Sequence, residues 1–217
     1  MTTPPNPAEH AWWLASRASG IVAMILITAS VFIGLTLSTR VFKGPGLSRW
    51  LAAAHEQAAL GGLVAIALHG VTLLGDPFLQ PGVTGITVPF AMDYKTLWVG
   101  IGIVGGYIAA LTGLTFYAKK RIGVARWSKL HRLTIVAYGM SLAHTIGAGT
   151  DFQAGSWARL AIIAPAGPIL VLFVQRMLGS GSPKPAPAAK PEPAPKPAHE
   201  HHPQRQRSRE PAFEGAS

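Results

Sequence analysis

The sequence predicts an all-α protein, a polytopic membrane helix bundle with about five transmembrane helices. Hydrophobic residues make up 49% of its 217 residues and charged residues only 13%, well below the roughly one quarter usual in soluble proteins. The charges are also segregated, because Asp, Glu, Lys and Arg are absent from 18–39, 57–75, 96–118 and 133–150. A bilayer core of roughly 30 Å is crossed by about 20 apolar residues in a helix, so these segments predict membrane spans.

The predicted helices occupy residues 12–38, 50–74, 96–117, 129–148 and 157–177. Pro165 and Pro168 are expected to kink the last helix, as membrane helices tolerate. The segments 1–11 and 180–217 are polar and rich in proline, which predicts two disordered ends around a transmembrane domain at 12–179.

The distribution of basic residues predicts how the helices are oriented. Lys and Arg cluster after the first and third helices and at the end of the fifth, whereas the opposite side carries Arg17, Lys95 and Arg159. Because Lys and Arg favour the cytoplasmic side, the N-terminus is expected outside and the C-terminal tail in the cytoplasm. An integral protein of a bacterial plasma membrane is expected. The net charge of +10 is explained in this way, and no nucleic-acid partner is predicted.

Four histidines lie in two of the apolar helices. His55 and His69 are fourteen residues apart in the second helix, and His131 and His144 are thirteen apart in the fourth, so each pair spans roughly 20 Å of helix. In the predicted orientation His55 and His131 share the cytoplasmic side, and His69 and His144 the outer side. Histidine inside a bilayer is costly and usually has a partner or a function. The matched depths predict two stacked haem irons, each with one axial imidazole from each helix.

The unequal spacings predict a distortion of the fourth helix. Fourteen residues leave His55 and His69 on one helix face, but thirteen rotate His144 by roughly another 100°. This helix must twist, bend or present its ligands in different rotamers, and Gly139 and Gly147 are candidates for the distortion. Each neutral ligand also needs a hydrogen bond at its other ring nitrogen. Ser141 and backbone carbonyls one turn away are candidate partners.

These spacings, H-x13-H followed by H-x12-H, resemble those of the ferric reductase-like transmembrane domain family. The segments RASG at 17–20 and WSKLHRLT at 127–134 also look like motifs of its first and fourth helices. The family includes ferric reductases, NADPH oxidases and the haem-binding membrane subunit of bacterial methionine sulfoxide reductase systems. The resemblance covers 12–177 and implies that His55 and His131 bind one haem b, and His69 and His144 the other.

The sequence also departs from this family. Members often have six core helices, whereas five are predicted here. The oxidase and reductase branches carry a C-terminal domain for flavin and nicotinamide, and no Gly-rich nucleotide-binding motif occurs in this sequence. The resemblance therefore implies a transmembrane electron-transfer component of an oxidoreductase that receives electrons from a separate flavoprotein or from quinol.

Basic residues near the predicted membrane surfaces are candidates for binding the anionic haem propionates. Arg17 is placed for the outer haem, and Arg132 or Lys129 for the inner one. The alternatives are interfacial snorkelling for Arg17 and an ordinary orientation signal for Arg132.

Other residues have a structural and a functional interpretation. Glycines 100, 102, 105 and 106 can admit a porphyrin or a neighbouring helix, and helix packing is favoured. Trp127, Tyr138 and Trp157 can be electron relays, although interfacial or core packing is favoured. In the tail, His199, His201 and His202 can bind a metal loosely, but a disordered basic tail is favoured.

The leading functional hypothesis is a b-type cytochrome that passes single electrons through two haems, from a cytoplasmic flavoprotein to an external acceptor. Ferric iron, oxygen, quinone and an external redox protein are all candidate acceptors. Three alternatives remain open: quinol as donor, one haem rather than two, and a cofactor-free proton channel or transporter that relays protons through buried histidines.

Overall fold

The computed structural model describes residues 7–39, 41, 44, 46–151 and 155–179, and all regular structure among them is helical. The helices are α1 (Pro7–Thr39), α2 (Leu47–Leu73), α3 (Gly82–Thr87), α4 (Thr96–Leu114), α5 (Lys119–Ile122), α6 (Val124–His131), α7 (Thr134–Ala148), α8 (Trp157–Ile163) and α9 (Ala166–Gly179). The predicted all-α class is confirmed for this part of the chain. The predicted disordered tail at 180–217, with its three histidines, and residues 1–6 lie outside the described residues.

Within the described ranges, four helical stretches are long and apolar enough to cross a membrane: His10–Thr39, Leu47–Leu73, Thr96–Leu114 and Trp157–Leu178. Only 6% to 28% of the residues in their most apolar windows are buried inside the protein. Helices this apolar, with most of their surface outside the protein core, are expected to face lipid. The structure therefore agrees with a membrane protein whose surrounding partner is a lipid bilayer.

The fourth predicted helix is not continuous, which corrects the sequence-based prediction. α6 ends at His131, and α7 begins at Thr134 after a turn formed by Arg132 and Leu133. α7 has 15 residues, or about 22 Å of helix, and is therefore shorter than the hydrocarbon core. Five spans and their orientation thus remain predictions.

Two other predicted boundaries can be compared with the structure. α1 begins at Pro7 rather than at residue 12, so the residues just before 12 are helical and not disordered as predicted. The kink predicted at Pro165 and Pro168 appears as an interruption at Pro165 alone, since α8 ends at Ile163 and α9 begins at Ala166 and contains Pro168. A proline provides no N–H for the helix and clashes with the preceding turn, which explains the interruption.

The bundle is built from two helix pairs, α1 with α2 and α4 with α7, and α1 also packs against α7 and α9. Each pair is antiparallel, as the contacts of Ser16 with His69 and Ser30 with His55, and of Trp98 with His144 and Gly105 with Met140, require. The buried core contains Met24 and Leu35 from α1, Tyr138 from α7 and Ile169 from α9. Gly105 allows the close approach of α4 and α7, because a Cβ there would lie 3.1 Å from Met140 Cβ. α2 and α7 are not a closely packed pair. Side chains from the two helices, among them the histidines, can therefore extend into the space between them.

Candidate functional site

The four histidines form two facing pairs between α2 and the α6–α7 segment. The ring centroids of His55 and His131 are 6.0 Å apart, with an interplanar angle of 87°. Those of His69 and His144 are 6.2 Å apart, at 75°. The structure thus brings together the residues that were paired by depth. We call His55 and His131 the inner pair and His69 and His144 the outer pair, after the predicted orientation.

The turn between α6 and α7 explains how unequal spacings produce two facing pairs. Arg132, Leu133 and Ile135 donate their backbone N–H groups three residues back, to Lys129, Leu130 and Arg132. This is the bonding of a 3₁₀-helix, which turns by about 120° per residue rather than 100° and rises about 2.0 Å rather than 1.5 Å.

About four residues of this geometry add roughly 80° of rotation and 2 Å of length. With this addition, the thirteen residues from His131 to His144 rise about as far as the fourteen residues from His55 to His69. Most of the difference in rotation between the two histidine spacings is also removed. The distortion that the spacing predicted is therefore present, but at Arg132 and Leu133 rather than at Gly139 or Gly147.

The two histidines of α2 are held by the main chain of α1. His55 Nδ1 donates to Ser30 O, and His69 Nδ1 donates to Ser16 O, both at 2.8 Å. A carbonyl oxygen only accepts, so Nδ1 carries a proton, and in the neutral imidazole Nε2 then keeps its lone pair. This is the protonation state in which Nε2 can bind a metal.

A small residue one turn after each serine makes room for the imidazole. A Cβ at Gly20 would lie 2.9 Å from His69 Nδ1, and one at Gly34 would lie 3.0 Å from His55 Cε1. We call Ser16 with Gly20 the outer seat, and Ser30 with Gly34 the inner seat. The seats repeat at fourteen residues along α1, the spacing of the two histidines that they hold.

His144 is held in the same manner by α4. Its Nδ1 donates to Trp98 O at 2.9 Å, and its ring lies against Gly102, where any side chain would collide with it. Main-chain carbonyls thus hold three of the four imidazoles, but they belong to neighbouring helices and not, as expected, to the same helix one turn away. Ser141 was the wrong candidate, because its carbonyl accepts a hydrogen bond from Thr145 and it does not bond an imidazole.

His131 is held differently from the other three. Its Nδ1 is buried and makes no hydrogen bond among the described residues, although the main chain of Thr112 is within interacting range. Its ring instead stacks on Trp127, with centroids 4.9 Å apart and planes at 25°. Trp127 Nε1 is also buried without a partner in the described structure.

The inner pair borders a cavity of about 370 Å³, within the size range of small-molecule and cofactor sites. Arg132, Arg176 and Trp127 line the cavity together with His55 and His131, and none of its described lining residues is Asp or Glu. Its remaining walls are largely apolar, formed by residues such as Ile27, Leu35 and Phe173. The site therefore suits a mainly apolar ligand that carries negative charge at one edge.

Arg17 has a protein partner at the outer end of the bundle. Its guanidinium forms an ion pair with Asp151 and lies 4.8 Å from the ring centroid of Trp13. The adjacent residue, Ser16, belongs to the outer seat. Lys95 is also engaged there, because its Nζ donates to the carbonyls of Gly147 and Ala148 at the end of α7.

The other candidate residues have mainly packing contacts. Gly100 accommodates Phe90, because a Cβ there would collide with the Phe90 ring. A Cβ on Gly106 would lie 3.7 Å from Ile66 Cγ2. Tyr138 is buried in the core, and Trp157 is 81% exposed. Among the three aromatic candidates, Trp127 is the one in contact with a paired histidine.

The donor set limits which metal centres fit. The described residues contain no cluster of three or more His, Cys, Asp or Glu side chains that could hold a metal ion. Two imidazoles suffice for a haem, because the porphyrin supplies the other four ligands of the iron. No protein-family model matches this chain, and no solved structure matches it.

Proposed function

We propose that this chain is a membrane cytochrome that binds two b-type haems and carries single electrons across the bilayer. The observation that carries the proposal is the geometry of the two pairs, with ring centroids 6.0 and 6.2 Å apart. If each metal–imidazole bond is about 2 Å long, as in other metal–histidine sites, a metal between two imidazoles separates the ring centroids by roughly 6 Å.

The hydrogen bonds of the outer pair support a metal rather than a proton between the rings. Both Nδ1 atoms donate to carbonyls, so in the neutral rings both Nε2 atoms are acceptors. Two acceptors cannot bond each other, and the two rings share no hydrogen bond in the described structure. A proton relay through paired histidines, the alternative from another functional class, would need one ring of the pair to be protonated at both nitrogens.

The chain's own residues would perform three tasks for the cofactor. Haem would supply one-electron chemistry, and His55 with His131 and His69 with His144 would each hold one haem through their imidazoles. The seats and Trp98 O fix the imidazole tautomers. The apolar walls of the inner cavity exclude water, and Arg132 lies where it can neutralise a propionate.

Both segments behind the family resemblance lie at the histidine pairs. Segment 17–20 contains Gly20 of the outer seat, and segment 127–134 contains Trp127, His131 and the turn that aligns His144. This placement supports membership of the ferric reductase-like group, and the resemblance is our reason to propose a bacterial plasma membrane. By the same resemblance we propose a separate cytoplasmic flavoprotein as electron donor and an external acceptor such as ferric iron, oxygen, quinone or a redox protein.

The proposal is tested by a reduced-minus-oxidised spectrum of the purified protein, with haem quantified per chain. We expect two low-spin b haems in the wild type, and one after His55 and His131, or His69 and His144, are replaced by alanine. His10→Ala is the matched control, since His10 is exposed and lies outside both pairs. Absence of haem after expression with adequate haem supply, together with a pH-dependent conductance in liposomes, would support the proton-relay alternative instead.

A further inference from the structure

The connection from α2 to α4 contains sixteen consecutive residues without a charged side chain, 77–92, between Asp76 and Asp93. Apolar side chains of this stretch project from the protein, with Phe78 87% and Val83 66% exposed. Clustered apolar side chains on a surface mark contact with a membrane or with another protein. We call residues 77–92 the α3 segment, because α3 lies within it.

Two contacts place the α3 segment beside α4 rather than beyond its end. The Phe90 ring fills the space at Gly100, where a Cβ would collide with it. The Tyr107 hydroxyl donates a hydrogen bond to the carbonyl of Thr87. Gly100 and Tyr107 both belong to α4, one of the helices long and apolar enough to cross a membrane. The segment therefore runs along the side of a candidate membrane span.

The positions of these residues along α4 give the depth of the α3 segment. Gly100 and Tyr107 follow the first residue of α4 by four and eleven residues, which is about 6 and 16 Å of helix. A tyrosine on a helix points back toward the N-terminal end, so Thr87 lies between the start of α4 and its middle. Gly100 also belongs to the turn of α4 that holds His144. The segment thus reaches the depth of the outer pair.

Much of the hydrogen bonding of the α3 segment is satisfied by the segment itself and by Asp76. Within hydrocarbon, each backbone N–H must find its partner in the protein. Three residues of the segment are prolines and have no N–H. Asp76 Oδ1 accepts the N–H groups of Phe78 and Leu79. Four further N–H groups donate to carbonyls three or four residues back, those of Gln80, Gly85, Val88 and Ala91. This bonding lowers the cost of placing the segment in lipid.

We propose that the α3 segment is re-entrant. It enters the bilayer leaflet that contains the outer pair, contacts the lipid acyl chains with its exposed apolar side chains, and returns to the membrane surface at Asp93. The hydrogen bond from Tyr107 holds it at that depth. Acyl chains are the favoured partner because the segment lies beside a candidate span and carries no charge between Asp76 and Asp93. The insertion needs no bound cofactor, so its test is independent of the proposed function.

Spin labels on single cysteines test the insertion. The chain contains no cysteine, so Val83→Cys or Val88→Cys places a single label in the segment. Leu68→Cys, at an exposed position of α2, is the control for lipid. Asp93→Cys, exposed at the end of the segment, is the control for the membrane surface.

Each labelled full-length chain is placed in lipid nanodiscs, and circular dichroism shows that it has folded. Electron paramagnetic resonance then measures the collisions of the label with oxygen, which concentrates among acyl chains, and with a water-soluble nickel chelate. We expect labels at positions 83 and 88 to collide more with oxygen than with nickel, as at position 68. The label at position 93 should show the reverse.

A second variant tests the role of Tyr107. Tyr107→Phe in the Val88→Cys chain removes the hydroxyl that bonds the carbonyl of Thr87. We expect the ratio of oxygen to nickel collisions at position 88 to fall by up to roughly fivefold, the factor that one hydrogen bond contributes to an equilibrium. Tyr117→Phe, at an exposed tyrosine beyond the other end of α4, is the matched control and should leave the ratio unchanged.

The proposal is overturned if labels at positions 83 and 88 collide with nickel as often as the label at position 93, since the segment then lies in water. Shielding of both positions from both reagents also overturns it, because protein, such as a second copy of this chain, then covers the segment. If Tyr107→Phe leaves the ratio at position 88 unchanged, the hydrogen bond does not hold the segment, and that part of the proposal is wrong.

Discussion

At the outer pair, both imidazoles donate Nδ1–H to a main-chain carbonyl, of Ser16 and of Trp98. At the inner pair only His55 does so, and His131 is stacked against Trp127 instead. The ring separations are nevertheless nearly equal, at 6.2 and 6.0 Å. Similar ring separations are therefore reached in two different ways. In the outer pair carbonyls hold both rings, and in the inner pair a carbonyl holds one ring and an aromatic stack holds the other.

This difference has a consequence for how each site can respond to a ligand. A ring held by a carbonyl at one nitrogen and by a glycine against its face has little freedom to move. Among the described residues, the buried Nδ1 of His131 makes no hydrogen bond, and the ring borders a cavity that Trp127 and two arginines also line. We therefore expect the outer pair to tolerate change poorly and the inner pair to adapt.

The largest effect is expected at the outer pair, from Gly102→Ala. The new methyl group would collide with the His144 ring, and the anchored imidazole has no free direction in which to move. We expect the outer haem to be lost, which halves the haem per chain, with a destabilisation of about 1–3 kcal/mol from overpacking. Haem quantification and thermal unfolding measure both effects.

Gly106→Ala is the matched control for this prediction. It lies one turn further along α4, and its Cβ would be 3.7 Å from Ile66 Cγ2, an ordinary contact. Two haems in the Gly102→Ala protein would contradict the rigid description of the outer pair.

A smaller and site-selective effect is expected from the two seats. Gly34→Ala places a Cβ 3.0 Å from His55 Cε1, and Gly20→Ala places one 2.9 Å from His69 Nδ1. Each ring must shift by a few tenths of an ångström, which should change the electron paramagnetic resonance spectrum and midpoint potential of one haem only. Gly139→Ala, with no atom within 4 Å of its Cβ, is the control and should stabilise α7 by about 0.5–1 kcal/mol. A change at both haems from a single variant would rule out independent seats.

Replacement of Trp127 should affect the inner pair alone. Trp127→Leu removes the stack on His131, and aromatic pairs contribute about 0.5–1.5 kcal/mol. We expect haem to dissociate from the inner pair several-fold faster, with Trp127→Phe restoring part of the difference. Stopped-flow haem transfer to an acceptor protein measures the rate, and Trp157→Leu is the exposed control. An equal effect on the outer haem would mean that Trp127 acts through the whole bundle.

The smallest effect is expected from the serine hydroxyls. Ser16→Ala and Ser30→Ala keep the carbonyls that bond the imidazoles and remove only hydroxyls 3.1 Å from Nδ1. Each change should cost at most about 1 kcal/mol of stability, and both haem spectra should stay as in the wild type. Loss of a haem from either variant would show that the hydroxyl, not the carbonyl, holds the ring.

The sequence allowed the helices and the facing pairs to be predicted because both follow from local patterns. Long apolar segments determine where helices can cross a bilayer. The His55–His69 and His131–His144 spacings correspond to nearly the same rise, so facing pairs follow once the two segments run parallel. The break after His131 was missed because HRLT contains neither proline nor glycine and its apolar pattern continues through the turn.

The residues that support the histidines were harder to predict, because their contributions depend on packing. A main-chain carbonyl such as Trp98 O leaves no signal in the sequence. Asp151 is 134 residues from Arg17, so the ion pair could not be inferred from spacing. The seats did leave a signal: S-x3-G occurs twice in the first helix at the fourteen-residue spacing of His55 and His69.

The repeat on α1 has a further consequence for how the first helical hairpin assembles. Both seats belong to one helix, so a displacement of α1 along its axis by one turn, about 5.4 Å, would withdraw Ser16 and Ser30 from both imidazoles at once. No displacement of α1 by one or a few turns holds one histidine of α2 correctly and releases the other. The alignment of α1 against α2 therefore determines the positions of both imidazoles together. Correct insertion of α1 beside α2 prepares His55 and His69 for ligand binding in a single step.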